Sequence, residues 1–254
     1  MLQEERLRRI RERVEEASFC SLAELCEAFG ISRATARRDL QALAEANRVR
    51  LLRGGAASVA DGTSYDPPYK LKQSLHREEK ARIAVEAARL VHEGETVLLD
   101  SGTTALAIAE RLRSARDVTV ATNDVRIAAA LSDAPGVAVT VIGGSLRKGY
   151  YATLGYFAEL ALEQLRADVA FLGVDAIDAE RGLMVSNAEE MPVKKRFLAA
   201  AKRTVIVCDH TKFETASFLR LCPLADADLI LTGRELDEAL LPKYAEAGAR
   251  IRLV

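Results

Sequence analysis

No apolar run in this chain approaches the ~18–20 residues that a bilayer-spanning helix needs. The opening MLQEERLRRIRERVEEA reads as a charged amphipathic helix and lacks the apolar core of a secretory signal. A cytoplasmic protein with no membrane partner is therefore expected. The four cysteines (Cys20, Cys26, Cys208 and Cys222) form no C-x-x-C pair, and the three histidines (His76, His92 and His210) are scattered. Without ligands clustered at short spacing, no metal site and no disulfide framework are expected, and the thiols read as small buried apolar groups in a reducing compartment. Net charge is -1, so any surface suited to a polyanion must be local. Neither a Walker loop nor G-x-G-x-x-G occurs, so no nucleotide and no cofactor are inferred. There is no internal repeat and no low-complexity segment.

What is present is a chain of 254 residues, 49% hydrophobic and 29% charged, long enough for one large domain or two ordinary ones around a sizeable core. Its character changes near residue 57. Before that point lies helical periodicity with arginine but no lysine, the first being Lys70. SVADGTSYDPPYK (58–70) then gathers Gly, Ser, Asp and two prolines and reads as a linker. After a helix over 75–91, short apolar runs read as strands at 96–100, 118–122, 137–144, 168–177, 204–209, 228–233 and 251–254. Helical stretches at 105–113, 124–132, 157–165 and 189–202 separate most of them. Runs apolar throughout suit strands covered on both faces, and alternation with helices predicts an α/β architecture with a parallel sheet. The expected division is 1–57, a linker over 58–74, and 75–254.

The basic stretch SRATARRDLQAL (32–43) carries three arginines and one acid. Upstream, Ser21 caps a helix whose Leu22, Leu25 and Phe29 face one way; Gly30 permits a sharp turn and Ile31 plugs the corner. Ser32 caps the next helix. Two short helices joined by a glycine turn make a helix-turn-helix. On the second, Ala36, Leu40 and Leu43 share a face, while Ala34, Arg38 and Gln41 lie opposite. A small residue at Ala34 allows close backbone approach, and the Arg38 fork matches the two acceptors of a guanine edge. Arg33, Thr35 and Arg37 suit phosphate oxygens. Asn47 is expected to end the helix in a left-handed conformation. In NRVRLLRGGA (47–56), Val49, Leu51 and Arg53 alternate with Arg48, Arg50 and Leu52 before Gly54-Gly55, which reads as a short β-wing carrying further arginine. The plainer reading, solvated arginines on a structural helix, leaves the ordered caps, turn, apolar triplet and basic wing unexplained.

SRATARRDLQALAEANRVRLLRGGA (32–56) closely resembles the winged helix-turn-helix signature of DeoR-type transcriptional repressors, with Ser32, Thr35, Arg37, Arg38, Asp39, Leu40, Gly54, Gly55 and Ala56 matching. It departs at Arg53, where the family often has His, and at Ala46-Asn47, where a Gly is common. The resemblance implies double-stranded operator DNA as a partner.

In the second half, VLLDSGTTALAIAERL (97–112) is the most informative stretch. A strand ends at Asp100, a Ser101-Gly102-Thr103-Thr104 turn follows, and a helix begins, so N–H groups and three hydroxyls converge as an anion site. Ordinary helix capping is the plainer alternative. Polar strand ends recur at Thr122-Asn123, Gly143-Gly144, Asp175 and Asp209, and ligands of open α/β sheets sit beyond such ends. Lys212 adds a cation for phosphate, and Asp175 and Asp209 could take sugar hydroxyls. Glu190 and Lys194 are four apart on a helix, where a surface ion pair is the plainer reading.

DSGTT, TN, IGG, GVDAID through Gly182, Glu190 with Lys194, and DHTKF resemble, in order, the C-terminal sensor domain of the same repressor family. Met191-Pro192 departs from it. The resemblance implies a ribose-5-phosphate-isomerase-like α/β fold behind the winged helix-turn-helix, and a phosphorylated sugar or sugar-alcohol as effector. Its phosphate would lie on Ser101–Thr104, supported by Lys212 and Gly143-Gly144. The expectation is a repressor, not an enzyme, of a sugar-utilisation operon, released from its operator by the effector. A homodimer or homotetramer is expected because one recognition helix reads too few bases. The alternative is an active sugar-phosphate isomerase carrying a DNA-binding head, with Glu190, Asp175 or Asp209 as base; a Lys-Gly-Gly-Gly-like loop is missing from the sequence. A redox repressor sensing a dinucleotide is weaker, for want of the Gly-rich fingerprint.

Overall fold

The computed structural model describes residues 3–17, 19–46, 48–52, 54–58 and 63–254. The chain forms two compact units, Met1–Leu75 and His76–Val254. No described helix is long and apolar enough to cross a membrane.

The first unit runs α1 (Gln3–Ala17), β1 (Phe19–Ser21), α2 (Leu22–Phe29), α3 (Arg33–Glu45), β2 (Val49–Leu52), β3 (Gly55–Ser58) and α4 (Tyr69–Ser74). Ile10 and Val14 of α1, Leu25 of α2, and Leu40 and Leu43 of α3 close one small core with Cys20, Val49 and Ala56. The three strands form an antiparallel sheet in the order β1-β3-β2. Gly55 is required at the centre, because a Cβ there would meet the Cys20 carbonyl oxygen at 2.2 Å.

Two local expectations change, and a third falls outside the described residues. Alternation in the wing is imperfect: Val49 is buried but Leu51 is 41% exposed, since β2 is the edge strand of the three-stranded sheet. The stretch read as a linker ends in α4, whose Tyr69 and Leu71 are buried. Asn47 and Arg53 lie outside the described residues; α3 closes at Ala46, whose N–H donates to the Ala42 carbonyl at 3.1 Å.

The second unit continues with α5 (Arg77–Arg89), β4 (Thr96–Leu99), α6 (Thr103–Leu112), β5 (Val118–Thr122), α7 (Val125–Leu131), β6 (Val137–Val141), β7 (Ser145–Leu146) and β8 (Thr153–Leu154). It proceeds through α8 (Tyr156–Glu163), β9 (Ala167–Leu172), β10 (Ala176–Asp178), β11 (Gly182–Val185), α9 (Glu190–Ala200) and β12 (Ala201–Val207). It ends with β13 (Leu219–Cys222), β14 (Leu229–Thr232), α10 (Leu241–Glu246) and β15 (Ile251–Leu253).

Seven strands form a wholly parallel sheet in the order β15-β14-β12-β9-β4-β5-β6. Alternate residues feed opposite cores. Val97, Leu99, Val120 and Phe171 pack with α5, α6 and α7, whereas Leu98, Ala121, Leu172 and Ile206 pack with α8 and α9. That two-sided burial is why the strands read as unbroken apolar runs. The winding reverses between β4 and β9, so their carboxyl ends open a crevice at the switch point of the sheet.

Two sheet boundaries differ from the sequence reading. The run 168–177 is two strands: β9 leaves the main sheet after Leu172, and β10 joins an antiparallel β10-β11-β13 sheet. The helix expected through 202 stops at Ala200, and β12 begins at once. Arg203 and Thr204 pair with Val169 and Ala170 of β9, and the Lys202 ammonium meets Asp168 at 2.8 Å, so ladder partners override helical composition.

Candidate functional site

The winged unit presents Arg33, Arg37, Arg38 and Arg50 outward. Ser21 caps α2 by accepting the Glu24 N–H at 3.2 Å, and the Glu24 carboxylate accepts the Ser21 N–H at 2.9 Å, a reciprocal capping box. The Ser21 backbone N–H bond, ahead of an opposing burial effect, holds Glu24 below the usual carboxylate range. Gly30 takes φ 62°, the left-handed turn that lets α3 leave at an angle. Ser32 caps α3 through the Thr35 N–H at 3.1 Å, and the two hydroxyls lie 2.9 Å apart.

On α3, Ala36, Leu40 and Leu43 are buried, while Arg33, Ala34, Arg37, Arg38 and Gln41 are exposed and Thr35 is half-buried. Gln41 donates to Glu45 at 3.1 Å. Among the described residues, Arg33, Arg37, Arg38 and Arg50 have no ion-pair partner. The wing brings Arg50 and the exposed Gly54 onto the same unit, with Gly54 at φ 93° and Gly55 buried. Asp39 matched the signature in the sequence but was given no role there: it is buried, and the Arg6 guanidinium grips it with two bonds of 2.6 and 3.0 Å, tying α1 to α3. Its signal was an acid at a core position of the helical wheel.

In the second unit the candidate residues gather along the carboxyl edge of the main sheet. Asp100 follows β4 and is buried. Its Oδ2 accepts the Gly173 N–H at 3.2 Å and the Lys194 ammonium, which also donates to the Gly173 carbonyl at 2.9 Å. This bridge spans the switch point. Burial by itself would push Lys194 down; the charges of Asp100, Glu190 and Asp175 more than offset it and hold its pKa above the ordinary lysine value. Lys194 is thus no surface partner of Glu190, whose carboxylate is met by Arg147 at 2.6 Å. Arg147 also lies 3.6 Å from the Tyr150 ring centre. Asp175 accepts both the N–H and the hydroxyl of Ser186, at 2.9 and 2.8 Å.

Next to this bridge, Gly102 takes φ 141° and begins α6 with no side chain capping it. Ser101, Gly102 and Thr103 are half-buried and Thr104 is nearly buried. Among the described residues, the hydroxyls of Ser101, Thr103 and Thr104 and the N–H groups of Thr103, Thr104 and Ala105 meet no protein partner. The ordinary-capping alternative therefore fails at this turn: the hydroxyls do not cap their own helix. Donors left open at a helix start favour an anion.

Thr122, Asn123 and Asp124 flank that turn. Asp124 caps α7 through the N–H groups of Arg126 and Ile127 at 2.8 and 3.3 Å, and also accepts the Gly102 N–H at 3.3 Å. Its burial pushes the carboxyl upward against those bonds. Thr122 accepts the Asp124 N–H at 3.1 Å. Asn123 donates to the Thr153 carbonyl at 3.2 Å, and its own amide oxygen is buried without a partner among the described residues. Gly143 and Gly144 are exposed beyond β6; Gly144 abuts the Leu154 carbonyl, which a Cβ would meet at 2.5 Å.

Asp209 follows β12. Burial would raise its carboxyl pKa, but Lys212, the Thr211 hydroxyl, Lys80 and His76 together lower it. Lys212 is half-exposed and has no salt bridge among the described residues. Asp124, Arg147 and Lys80 escaped the sequence reading because their roles depend on which strand ends become neighbours.

A winged helix-turn-helix with outward arginines, joined to a doubly wound α/β unit with an open helix start at its switch point, is the class these features define. Residues 6–61 match the DeoR-like helix-turn-helix domain and residues 75–234 the DeoR C terminal sensor domain, so the chain belongs to the DeoR family of transcriptional regulators. It is 33% identical to a putative aga operon transcriptional repressor of Escherichia coli O157:H7, over 98% of this chain and 93% of that one. It is 34% identical to the HTH-type transcriptional repressor GlcR of Bacillus subtilis (94% and 92%). A glycerol-3-phosphate regulon repressor of Haemophilus influenzae is 33% identical (92% and 90%). Likeness to solved structures is weak. A ribose 5-phosphate isomerase from Plasmodium falciparum aligns at TM-score 0.39 and 19% identity over 54% of this chain and 52% of that one. An eIF2B beta from Chaetomium thermophilum aligns at 0.46 and 19% over 67% and 54%. Neither carries an inference about activity.

Proposed function

We propose that the chain represses a sugar or sugar-alcohol utilisation operon and leaves its operator when a phosphorylated sugar binds the second unit. The observation that carries this reading is the start of α6: three hydroxyls and three N–H groups open toward the crevice at the switch point, with no helix cap consuming them. Phosphate would sit on Ser101–Thr104, with Lys212 and the Gly143-Gly144 turn as supports. The sugar would extend past Thr122, Asn123, Asp100, Lys194, Glu190, Asp175 and Asp209. The glycerol-3-phosphate regulon named for one relative supports a phosphorylated sugar-alcohol as effector class.

On DNA, α3 enters the major groove with Arg38 on a base edge. Ser32, Arg33, Ala34, Thr35, Arg37 and Gln41 lie along the same approach, and Ser21, Arg50, Arg53, Gly54 and Gly55 support the helix-turn-helix and wing. Release requires a coupling free energy of about 1–3 kcal/mol between effector and operator binding. The chain acts as a homodimer or homotetramer in the cytoplasm. Support comes from α8, where Tyr156 is 72% and Phe157 70% exposed side by side, an apolar surface suited to a second copy.

The isomerase reading loses ground at its proposed bases. Glu190 is held by Arg147, Asp175 by Ser186 and Asp209 by Thr211, so each carboxylate is already engaged. The deciding experiment is a thermal-shift panel on the full chain, pairing each sugar phosphate with its unphosphorylated sugar, followed by operator-release and product assays on every hit. A phosphate-dependent hit that releases DNA without turnover is expected. A hit that is consumed would establish the enzyme instead, and no stabilisation by any sugar phosphate would remove the effector class.

A further inference from the structure

Outside the proposed ligand site, folding assembles a second constellation around Glu79. This residue lies in the first turn of α5, three positions after His76 and 131 before His210. Its side chain is 3% exposed. Glu79 Oε1 accepts the backbone N–H of His210 at 2.7 Å and that of Gly233 at 3.2 Å, which fixes the carboxylate from behind. The other oxygen, Oε2, faces His210 Nδ1 at 2.9 Å and His76 Nδ1 at 3.7 Å. The two imidazole rings meet edge to face, 5.1 Å between centres. One donor atom from each of the three residues lies within 4.8 Å of the other two.

We propose that His76, Glu79 and His210 form a binding site for a borderline divalent cation, with zinc the best match. A tetrahedral zinc site with bonds of ~2.0–2.2 Å sets its donors roughly 3.3–3.5 Å apart, between the two separations measured to Oε2. Two imidazole nitrogens and one carboxylate oxygen select zinc-like ions over magnesium or calcium, which take oxygen donors. The two backbone N–H groups on Oε1 supply the outer hydrogen bonds that orient a ligating carboxylate. The imidazoles are 33% and 29% exposed, which leaves an entry path and a position for water. A bound cation would lock the start of α5 to the loop carrying Asp209 and Lys212. The competing account is that Glu79 only ties two loops by hydrogen bonds, with the His210 imidazole as a donor.

The test uses the full chain, stripped with a chelator, titrated with zinc by calorimetry and with cobalt by absorption. His76→Asn and His210→Asn remove the imidazoles, and asparagine tolerates the left-handed backbone at 76, where φ is 52°. One equivalent per chain is expected, with a cobalt spectrum lacking thiolate charge transfer. Since losing an outer hydrogen-bond partner alone costs about 10–100-fold in metal affinity, either variant should lose at least about ten-fold while its circular dichroism stays unchanged. Absence of saturable micromolar binding by the wild type overturns the proposal. So does undiminished binding by the double variant, or a thiolate band, which would place the ion on cysteine.

Discussion

The arginines of the recognition helix and wing and the buried lysine of the α/β unit handle positive charge in opposite ways. In the winged unit, Arg33, Arg37, Arg38 and Arg50 stand in water with no ion-pair partner among the described residues. In the α/β unit, Lys194 is buried and held by Asp100 and the Gly173 carbonyl. An exposed arginine costs the fold little and keeps its charge for a polyanion from outside. A buried ammonium must be compensated inside the fold, and then it holds elements together. The same sign of charge is therefore left open for an outside partner at those arginines and serves architecture at Lys194, as it does at Arg6 on Asp39, and substitutions should separate the two.

The largest effect is expected at the buried lysine. Lys194→Met leaves Asp100 buried and uncompensated and should cost about 3–5 kcal/mol of stability by urea unfolding. Adding Asp100→Asn should recover a good part of that. A Lys194→Met protein as stable as wild type would break the comparison. The pH dependence follows from the sign of the shift. Because the folded pKa is raised, the contribution of Lys194 is complete below the unfolded value of ~10.4 and fades as pH rises through the folded one. Lys194→Met should lack this alkaline loss.

Next comes the open helix start. Thr103→Val with Thr104→Val removes two hydroxyls from a charged ligand, at roughly 1.5–3 kcal/mol each. Effector-driven release should be abolished in a fluorescence-anisotropy assay while operator affinity is kept; losing both would instead mean misfolding. Arg38→Ala should cost about 1–3 kcal/mol of operator binding and relax preference at one base pair, with unfolding unchanged. Binding-site selection that returns the wild-type preference would refute its role. The smallest effect is expected for Arg37→Ala: affinity should drop alike for all sequences, and the slope of log affinity against log salt should shrink by about one unit. A wild-type slope would remove Arg37 from the phosphate contacts.

The units also differ in how legible they were. The helix-turn-helix could be read because its determinants are local: Ser21 and Ser32 cap within three residues, Gly30 turns the chain, and Ala36, Leu40 and Leu43 repeat at helical spacing. The strands of the main sheet could be read because burial on both faces leaves unbroken apolar runs. The excursion of β10, β11 and β13 was hidden, since β13 pairs with a strand far upstream and both are short. Glu190 and Lys194 were correctly placed on one helix, yet they pair with different partners. Lys194 reaches Asp100, 94 positions away, and Glu190 reaches Arg147, 43 away.

Caps, turns, periodicity and the order of polar strand ends are short-range properties, and the sequence by itself determined them, together with membership in a family of DNA-binding regulators. Only the tertiary structure decided which strand ends became neighbours. Within each half of the main sheet successive strands lie side by side, but the packing that put β9 beside β4 is long-range and is what brought the two halves' ends together. That order made Lys194 an internal counter-ion, left the hydroxyls of the α6 turn open instead of capping, and gathered His76 and His210 around one carboxylate.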